Sequence, residues 1–278
     1  MAQHVVVFGI DGVRLDVLRS VSTPTIDAIE AAGFLHEFEV STDAPTVSGP
    51  TWSTVATGVW PHRHGILANE FVGHRLVAFP DFLTRVRAAG GHTYVAADWA
   101  PLVTTAHFGP LFARPTQLLF IDGADVGYDH ADAAIAAHAA QTLPGGQYAA
   151  AFVYFGNVDH IGHFVDTEDT YRAATETVDR QVGQVINAIR ADDSYSDDEW
   201  TFIVVTDHGH RDGGGHGGRT PHEVTAWVAA AGSSVPANVP AANHSDVAPH
   251  VMHALGIVSH LESGFQGAPF GSSRPTSG

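Results

Sequence analysis

The stretch His4–Gly12, HVVVFGIDG, is a continuous apolar run that stops at an Asp-Gly pair. Such a run is typical of a strand that is buried on both faces of a parallel sheet. Two later stretches repeat the pattern, YAAAFVYFGNVDHIGH at 148–163 and WTFIVVTDHGH at 200–210. Helical patterns separate these strands. The sequence therefore predicts an α/β fold, with a mostly parallel central sheet and helices on both faces.

The other elements follow from periodicity and from Gly, Pro and cap residues. Further strands are predicted at 34–41, 93–97, 117–121 and 224–230, and helices at 23–32, 51–58, 80–89, 128–142, 168–190 and 245–255. A chain of 278 residues suits one large domain. We expect that domain at 1–262, with room for a small cap insertion at about 93–130 and a flexible tail at 263–278.

Composition excludes several classes of function. The chain has no Cys, which rules out disulfides, thiolate zinc sites and cysteine nucleophiles. Its formal charge is −17, and all thirteen basic residues are Arg, so a basic patch for nucleic acid or an anionic membrane is not expected. We find no leader pattern and no apolar run long enough to span a bilayer. The sequence thus predicts a soluble, cytoplasmic protein without a membrane partner.

Acidic residues follow the three strongest strands. Asp11, Asp159 and Asp207 each lie at or just past a strand end, where parallel sheets bind their ligands. Three imidazoles lie near them in the sequence, those of His163, His208 and His216. Any one such Asp is also a common turn or cap residue. Together, carboxylates and imidazoles without thiolates indicate a site for divalent metal, with Zn²⁺ or Mn²⁺ the expected ion.

A second feature is the stretch 44–69, APTVSGPTWSTVATGVWPHRHGILAN. Within it Ser48 precedes Gly49 and Pro50, and Pro is favoured in a first helical turn. Ser48 is therefore expected at or just before a helix N-terminus, where free N–H groups favour an anion. The hydroxyl suits either an N-cap or a nucleophile at an anion site.

Six blocks of sequence resemble one family. They are VVVFGIDGVRLD (5–16), SGPTWSTVATGVWPHRHGILAN (48–69), VYFGNVDHIGH (153–163), VVTDHGH (204–210), GGHGG (214–218) and HSDVAPHVMHALGI (244–257). In content and order they are similar to the alkaline phosphatase superfamily, close to its type I phosphodiesterase and nucleotide pyrophosphatase branch. The resemblance implies that residues 1–262 form an alkaline-phosphatase-like catalytic domain.

The resemblance also implies a hydrolase of small-molecule phosphoric esters that uses two divalent ions, Zn²⁺ first and Mn²⁺ as the alternative. Asp11, Asp207 and His208 would bind one ion. Ser48 would also be a metal ligand and would be the nucleophile, forming a covalent phospho-enzyme. The other ion would be bound by Asp159, His163 and His216. Asn69 would donate a hydrogen bond to a nonbridging phosphoryl oxygen. As further substrate contacts we expect Trp52, His210 and His222.

Departures from the family pattern limit what the resemblance implies about the substrate. The branch usually has Thr at 48, an aromatic residue at 49 and Asn at 51, where this chain has Ser48, Gly49 and Thr51. Gly49 removes an aromatic wall, so a nucleoside preference is not implied. Sulfatases need Arg where this chain has Trp52, which argues against that class.

The chain also has no Lys, which favours diesters over monoester dianions. A monoesterase or phosphonate hydrolase stays the alternative because four Arg residues lie within or close to the six blocks, at 14, 63, 211 and 219. A phosphomutase would need a larger cap than this chain has room for.

Overall fold

The computed structural model describes residues 1–43, 45–164, 168–257 and 264–272. Ala44, the first residue of the Ser48 stretch, lies outside the described residues, as do 263 and 273–278 of the predicted tail. Within the described parts of the chain, no helix combines the length and the apolar character that a bilayer crossing needs.

The described residues form one seven-stranded sheet with the strand order β2-β7-β6-β1-β5-β3-β4. The strands are β1 (Gln3–Ile10), β2 (Phe34–Glu39), β3 (Thr93–Ala97), β4 (Gln117–Phe120), β5 (Ala150–Phe155), β6 (Glu199–Val205) and β7 (Thr225–Gly232). β7 runs antiparallel to both of its neighbours, and the other paired strands are parallel. The predicted mostly parallel α/β sheet is confirmed.

Helices cover both faces of this sheet. They are α1 (Leu15–Leu18), α2 (Pro24–Ala32), α3 (Ser48–Thr57), α4 (Pro61–His64), α5 (Phe82–Ala88), α6 (Ala100–Val103), α7 (Gly123–Val126), α8 (Tyr128–Thr142), α9 (Asn157–Phe164), α10 (Glu168–Arg190), α11 (Pro221–Val224) and α12 (His244–Ala254). Short 3₁₀ turns occur at Ala106–Phe108 and Tyr195–Asp197.

The core has two apolar layers, one on each face of the sheet. Val5 and Val7 of β1 pack on one face, in the layer of α3, α5 and α12. The alternate residues Val6, Phe8 and Ile10 pack on the other, in the layer of α2, α8 and α10. Side chains alternate along a strand, so a continuous apolar run supplies both layers at once. This explains why His4–Ile10 carries almost no polar residue.

One region differs from the sequence interpretation, and a second bears on the possible cap insertion. Residues 157–164, which follow β5, form the helix α9, which the sequence analysis did not predict. The segment 93–130, considered for a small cap, contains β3 and β4, and both strands belong to the central sheet. These strands pair with each other, and β3 also pairs with β5, so the sheet itself accounts for much of this segment.

Candidate active site

Three neighbouring strands bring the predicted carboxylates together. β6, β1 and β5 are adjacent in the sheet and parallel. Asp11 directly follows β1, Asp207 follows β6, and Asp159 lies in the first turn of α9, just after β5. Carboxyl ends of parallel strands meet at one edge, so residues far apart in sequence become neighbours there.

Asp11, Asp207 and His208 form what we term the first cluster. The Nε2 atom of His208 lies 3.2 Å from Asp207 Oδ2 and 3.8 Å from Asp11 Oδ1. All three side chains are buried. The other ring nitrogen, Nδ1, lies 3.2 Å from the Gly209 carbonyl oxygen, to which its proton can be donated. That tautomer leaves a lone pair on Nε2, directed at the carboxylates.

Asp159, His163 and His216 form the second cluster. His163 Nε2 lies 3.4 Å from Asp159 Oδ2, and His216 Nε2 lies 3.4 Å from Asp159 Oδ1. The two Nε2 atoms are 2.9 Å apart. His216 Nδ1 lies 2.6 Å from the Thr46 carbonyl oxygen, which holds the ring proton on Nδ1 and leaves Nε2 as an electron donor.

Several polar atoms at the centre of these clusters are unsatisfied. Asp11 Oδ1 and His208 Nε2 are buried and have no hydrogen-bond partner among the described residues. The buried Asp159 Oδ1 faces the Nε2 atoms of His210 and His216 at 3.0 and 3.4 Å, but neither contact has the geometry of a hydrogen bond. A buried polar atom without a partner costs about 1–3 kcal/mol, so such atoms seldom stay unpaired. In each cluster the three ligand atoms lie within 4.8 Å of one another. The donor set therefore fits a divalent ion at each cluster.

The electrostatics of the first cluster favour a cation. Burial, followed by the charges of Asp207 and Asp159, raises the pKa of Asp11 well above its ordinary value. Burial also raises the pKa of Asp207 to about 7. Burial lowers the pKa of His208, which keeps this imidazole neutral and able to act as a ligand. Buried carboxylates this close together destabilise one another, and a bound divalent cation would remove that cost.

Ser48 is the first residue of α3 and is buried. Val47 occupies the N-cap position, and the Ser48 hydroxyl has no hydrogen-bond partner among the described residues. It therefore does not cap the helix. Asn69 lies beside it, and its Oδ1 accepts a hydrogen bond of 2.8 Å from the Gly49 N–H. This bond fixes the amide and leaves its NH₂ group as a donor.

The two clusters and Ser48 open on one cavity of about 190 Å³. Its walls are formed by Asp11, Ser48, Asn69, Trp99, Tyr128, Tyr154, Gly156, Asp159, His160, His163 and His216. The aromatic part of this wall, Trp99, Tyr128 and Tyr154, was not predicted from the sequence. Trp99 lies two residues past β3, at the same edge of the sheet as Asp11. This position just past a strand end is the one sequence signal that could have identified Trp99 as part of the cavity wall.

The three further substrate contacts that we expected do not line this cavity. His210 is fully buried, with Nε2 3.0 Å from Asp159 Oδ1, so it lies behind that carboxylate. Its ring forms a third group of potential ligands with Asp159 and His208. His222 lies on α11 with Nδ1 3.7 Å from Asp16, outside the cavity. The reason in both cases is the direction of the loop after β6, which the sequence does not show.

Trp52 also differs from the prediction of a substrate contact. It is 1% exposed and packs edge-on against Phe152 and Tyr154. Its indole Nε1–H donates a hydrogen bond of 2.9 Å to Asp11 Oδ2, and the Tyr154 hydroxyl donates to the same oxygen. Trp52 thus holds Asp11 in place, and Oδ1 is the atom that remains for a ligand.

Replacing Trp52 with Phe should weaken metal binding at the first cluster by about 10–100-fold, because hydrogen bonds to ligand side chains fix their orientation. Zinc titration followed by calorimetry would measure this change. Trp200→Phe is the matched control, since Trp200 Nε1 is buried without a partner among the described residues. Equal zinc affinities in Trp52→Phe and the unmodified protein would show that the indole does not position Asp11.

Comparison with known proteins identifies the family and the fold. Residues 5–250 match the model of the family described as type I phosphodiesterase/nucleotide pyrophosphatase. The chain belongs to this family. Its fold is that of the alkaline phosphatase superfamily, which confirms the resemblance seen in the six sequence blocks.

Individual relatives are distant. GPI ethanolamine phosphate transferase 2 of Aspergillus fumigatus is 24% identical over 234 residues, which cover 80% of this chain and 29% of that protein. Murine ectonucleotide pyrophosphatase/phosphodiesterase 5 is 22% identical with a TM-score of 0.55, covering 74% of this chain and 57% of that chain. A 2-O GAG sulfatase is 14% identical with a TM-score of 0.74, and the match covers 99% of this chain and 76% of that chain. These structural likenesses show the fold, and the chain spans well under two thirds of the first two proteins.

Proposed function

We propose that this chain is a two-metal hydrolase of phosphoric esters, with phosphodiesters as the first class of substrate. The observation that carries the proposal is the convergence of three features on one cavity. Members of both clusters and Ser48 line the same walls, with Asn69 beside the hydroxyl. A nucleophile, a donor for a phosphoryl oxygen and two groups of ligands are what an in-line displacement at phosphorus needs.

The clusters supply ligands for two ions, for which Zn²⁺ is the first choice and Mn²⁺ the alternative. Asp11, Asp207 and His208 would hold one ion, and Asp159, His163 and His216 the other. When bound, the two ions would supply positive charge for the Ser48 alkoxide and for the charge that develops on the phosphoryl oxygens. This contribution matters because a Ser hydroxyl is a weak nucleophile at neutral pH.

The residues themselves account for the remaining chemistry. Ser48 Oγ forms a bond to phosphorus, the bond to the leaving oxygen breaks, and the hydroxyl proton passes to solvent while the leaving alkoxide takes one up. Water then cleaves the bond between Oγ and phosphorus, releasing a phosphomonoester and restoring the hydroxyl. The Asn69 NH₂ group, held by the Gly49 N–H, donates to a nonbridging oxygen of the bound phosphoryl group.

Gly49 also affects which alcohol group of the phosphodiester the site can contact. A Cβ built at this position would lie 2.2 Å from the Ala68 carbonyl oxygen, so the backbone leaves no room for a side chain. The aromatic residue that the family places here is thus excluded by the close packing of 48–49 against 68–69. Murine ectonucleotide pyrophosphatase/phosphodiesterase 5 has been solved as an inactive variant in complex with AMP. For this chain we propose diesters without assigning a nucleoside.

The positions of the Arg side chains support a diester. None lines the cavity among the described residues. Arg14 is bound to Asp16 and Asp212, Arg219 contacts the carbonyl oxygens of Val40 and Ser41, and Arg63 lies over the Phe79 ring. Arg211 is the one whose charge reaches the site: the hydrogen bond with Asp159 raises the pKa of His163, and the charge of Arg211 opposes that rise. A monoester dianion would lack a direct cationic partner for its third oxygen.

We therefore expect kcat/KM for bis-p-nitrophenyl phosphate to exceed that for p-nitrophenyl phosphate by at least about tenfold, or ~1.4 kcal/mol of transition-state preference. Steady-state kinetics on the two esters, at matched metal content and ionic strength, would measure the ratio. The reverse ranking would contradict the diester assignment and favour a monoesterase. Arg211→Ala would then show whether this guanidinium is the missing cation, with Arg219→Ala as the control.

A further inference from the structure

Two buried carboxyl groups next to the cavity have no part in the chemistry above. Asp98 directly follows β3, and Asp132 lies in the second turn of α8. They are 0% and 1% exposed. Neither belongs to the clusters of potential metal ligands, and neither lines the cavity. Burying two carboxyl groups side by side is costly, so their arrangement calls for a physical explanation.

The two groups share one backbone donor. The Gly156 N–H lies 3.2 Å from Asp98 Oδ2 and 3.1 Å from Asp132 Oδ1. The second oxygen of Asp132 accepts a hydrogen bond of 3.2 Å from the Asn157 N–H. Like charges this close cannot both persist in a buried site, so the pair must hold a proton.

The surroundings indicate which carboxyl group carries that proton. Burial, followed by the charge of Asp132, raises the pKa of Asp98 well above its ordinary value, and Asp98 Oδ1 is buried without a hydrogen bond. Burial also raises the pKa of Asp132, but Asp98 and the N–H groups of Gly156 and Asn157 lower it in part. Among the described residues, Asp132 accepts two backbone N–H bonds and Asp98 only one, which favours Asp132 as the carboxylate and Asp98 as the acid.

The donors that this pair binds begin the helix α9. The first N–H groups of a helix have no partner within the helix, and the helix dipole favours a negative charge there. Here the charge comes from another helix, because Asp132 belongs to α8. α9 carries Asp159 and His163, two of the three residues in the second cluster, separated by one helical turn. Any shift of its first turn would move both ligand side chains.

We propose that Asp98 and Asp132 form a proton-sharing carboxyl pair that anchors the start of α9 and thereby positions Asp159 and His163. Both are positioning residues, since they act through the backbone of α9. The proposal rests on the proposed metal-binding role of the second cluster. The proposal predicts that the two residues respond differently to replacement by Asn. An amide can take the place of the acid Asp98, but it cannot take the place of the carboxylate Asp132.

Asp98→Asn should keep the affinity for the second zinc ion within about threefold. An amide NH₂ donates to Asp132 as the protonated acid does, and its oxygen still accepts from Gly156. Asp98→Ala and Asp132→Asn should each weaken binding of that ion by at least about tenfold, the range seen when partners of metal ligands are lost. Calorimetric titration of the metal-free protein with Zn²⁺ alone would resolve the two binding steps. Asp129→Asn, at an exposed position of α8, is the control.

Infrared difference spectra test the shared proton without any metal. Because Asp11 and Asp207 also have raised pKa values, the band of the pair is identified by difference. The spectrum of the unmodified protein minus that of Asp98→Asn at neutral pH should show the C=O stretch of a protonated carboxylic acid, and the same difference with the control Asp129→Asn should not. The proposed role of the carboxyl pair would be contradicted if Asp98→Asn weakened zinc binding as much as Asp98→Ala, or if Asp132→Asn bound zinc with normal affinity. Absence of the infrared band would contradict the shared proton. An unmodified protein that binds no zinc would refute the proposed function instead, and the infrared band would still decide the carboxyl pair.

Discussion

Replacing Ser48 with Ala should lower kcat for a phosphodiester by at least about 10³-fold, while the protein still binds both metal ions. Loss of a nucleophile in other hydrolases costs up to ~10⁶-fold in kcat. The fold should tolerate the change, because the Ser48 hydroxyl has no hydrogen-bond partner among the described residues and Val47 is the N-cap of α3. Steady-state kinetics, with metal analysis of the same preparation, would measure both quantities.

Ser53→Ala is the matched control for this variant. Ser53 lies on the same helix and is also buried, but its hydroxyl donates to the Gly49 carbonyl oxygen and does not line the cavity. Its removal should cost some stability and little kcat. A Ser48→Ala protein that keeps a tenth of the activity would contradict the role of nucleophile. Trapping of a phosphorylated Ser48 from a quenched reaction would test the intermediate directly.

The sheet and the two clusters were largely predictable from the sequence. A continuous apolar run such as His4–Ile10 has few alternatives to a buried strand, and parallel strands place their carboxyl ends at one edge. Asp11 and Asp207 could therefore be placed by topology alone. Asp159 could also be placed at this edge, since it lies just past the end of a predicted strand, but its grouping with His163 and His216 needed the family pattern. Residues 157–164 are too short for a clear helical period, so the helix that aligns the pair was not predicted.

Side-chain direction was the part that the sequence could not supply. Trp52 is close to Ser48 in sequence, which suggested a substrate contact, yet it lies on the face of α3 that packs into the core and holds Asp11. His210 turns inward beside Gly12 and Gly162, where a Cβ at either glycine would lie 2.6 Å from its Nε2. Asp98 looks like an ordinary residue after a strand. What distinguishes it is its proximity to Asp132, which comes from a distant helix.

Metal analysis of the unmodified protein should give two divalent ions per chain, and their removal by a chelator should abolish activity reversibly. His216→Ala should lose the ion at the second cluster and Asp207→Asn the ion at the first. Each change should lower kcat by at least about 10³-fold, since on the proposed function each ion would stabilise charge that forms in the transition state. Ions bound only by the folded state also stabilise it, by about 2.7 kcal/mol at a concentration of 100 times Kd. The chelated protein should therefore unfold at lower temperature.

The matched control is His222→Ala, which removes a half-exposed imidazole outside both clusters and should leave two ions bound. The decisive observation is whether each substitution removes one ion and leaves the other bound. If the clusters were only hydrogen-bonded networks, His216→Ala and Asp207→Asn would lower stability without changing the metal content. If they shared a single ion, either change would remove all of it. A fully active preparation without metal would contradict the proposed chemistry at both clusters, because Ser48 would then have no cation to favour its alkoxide.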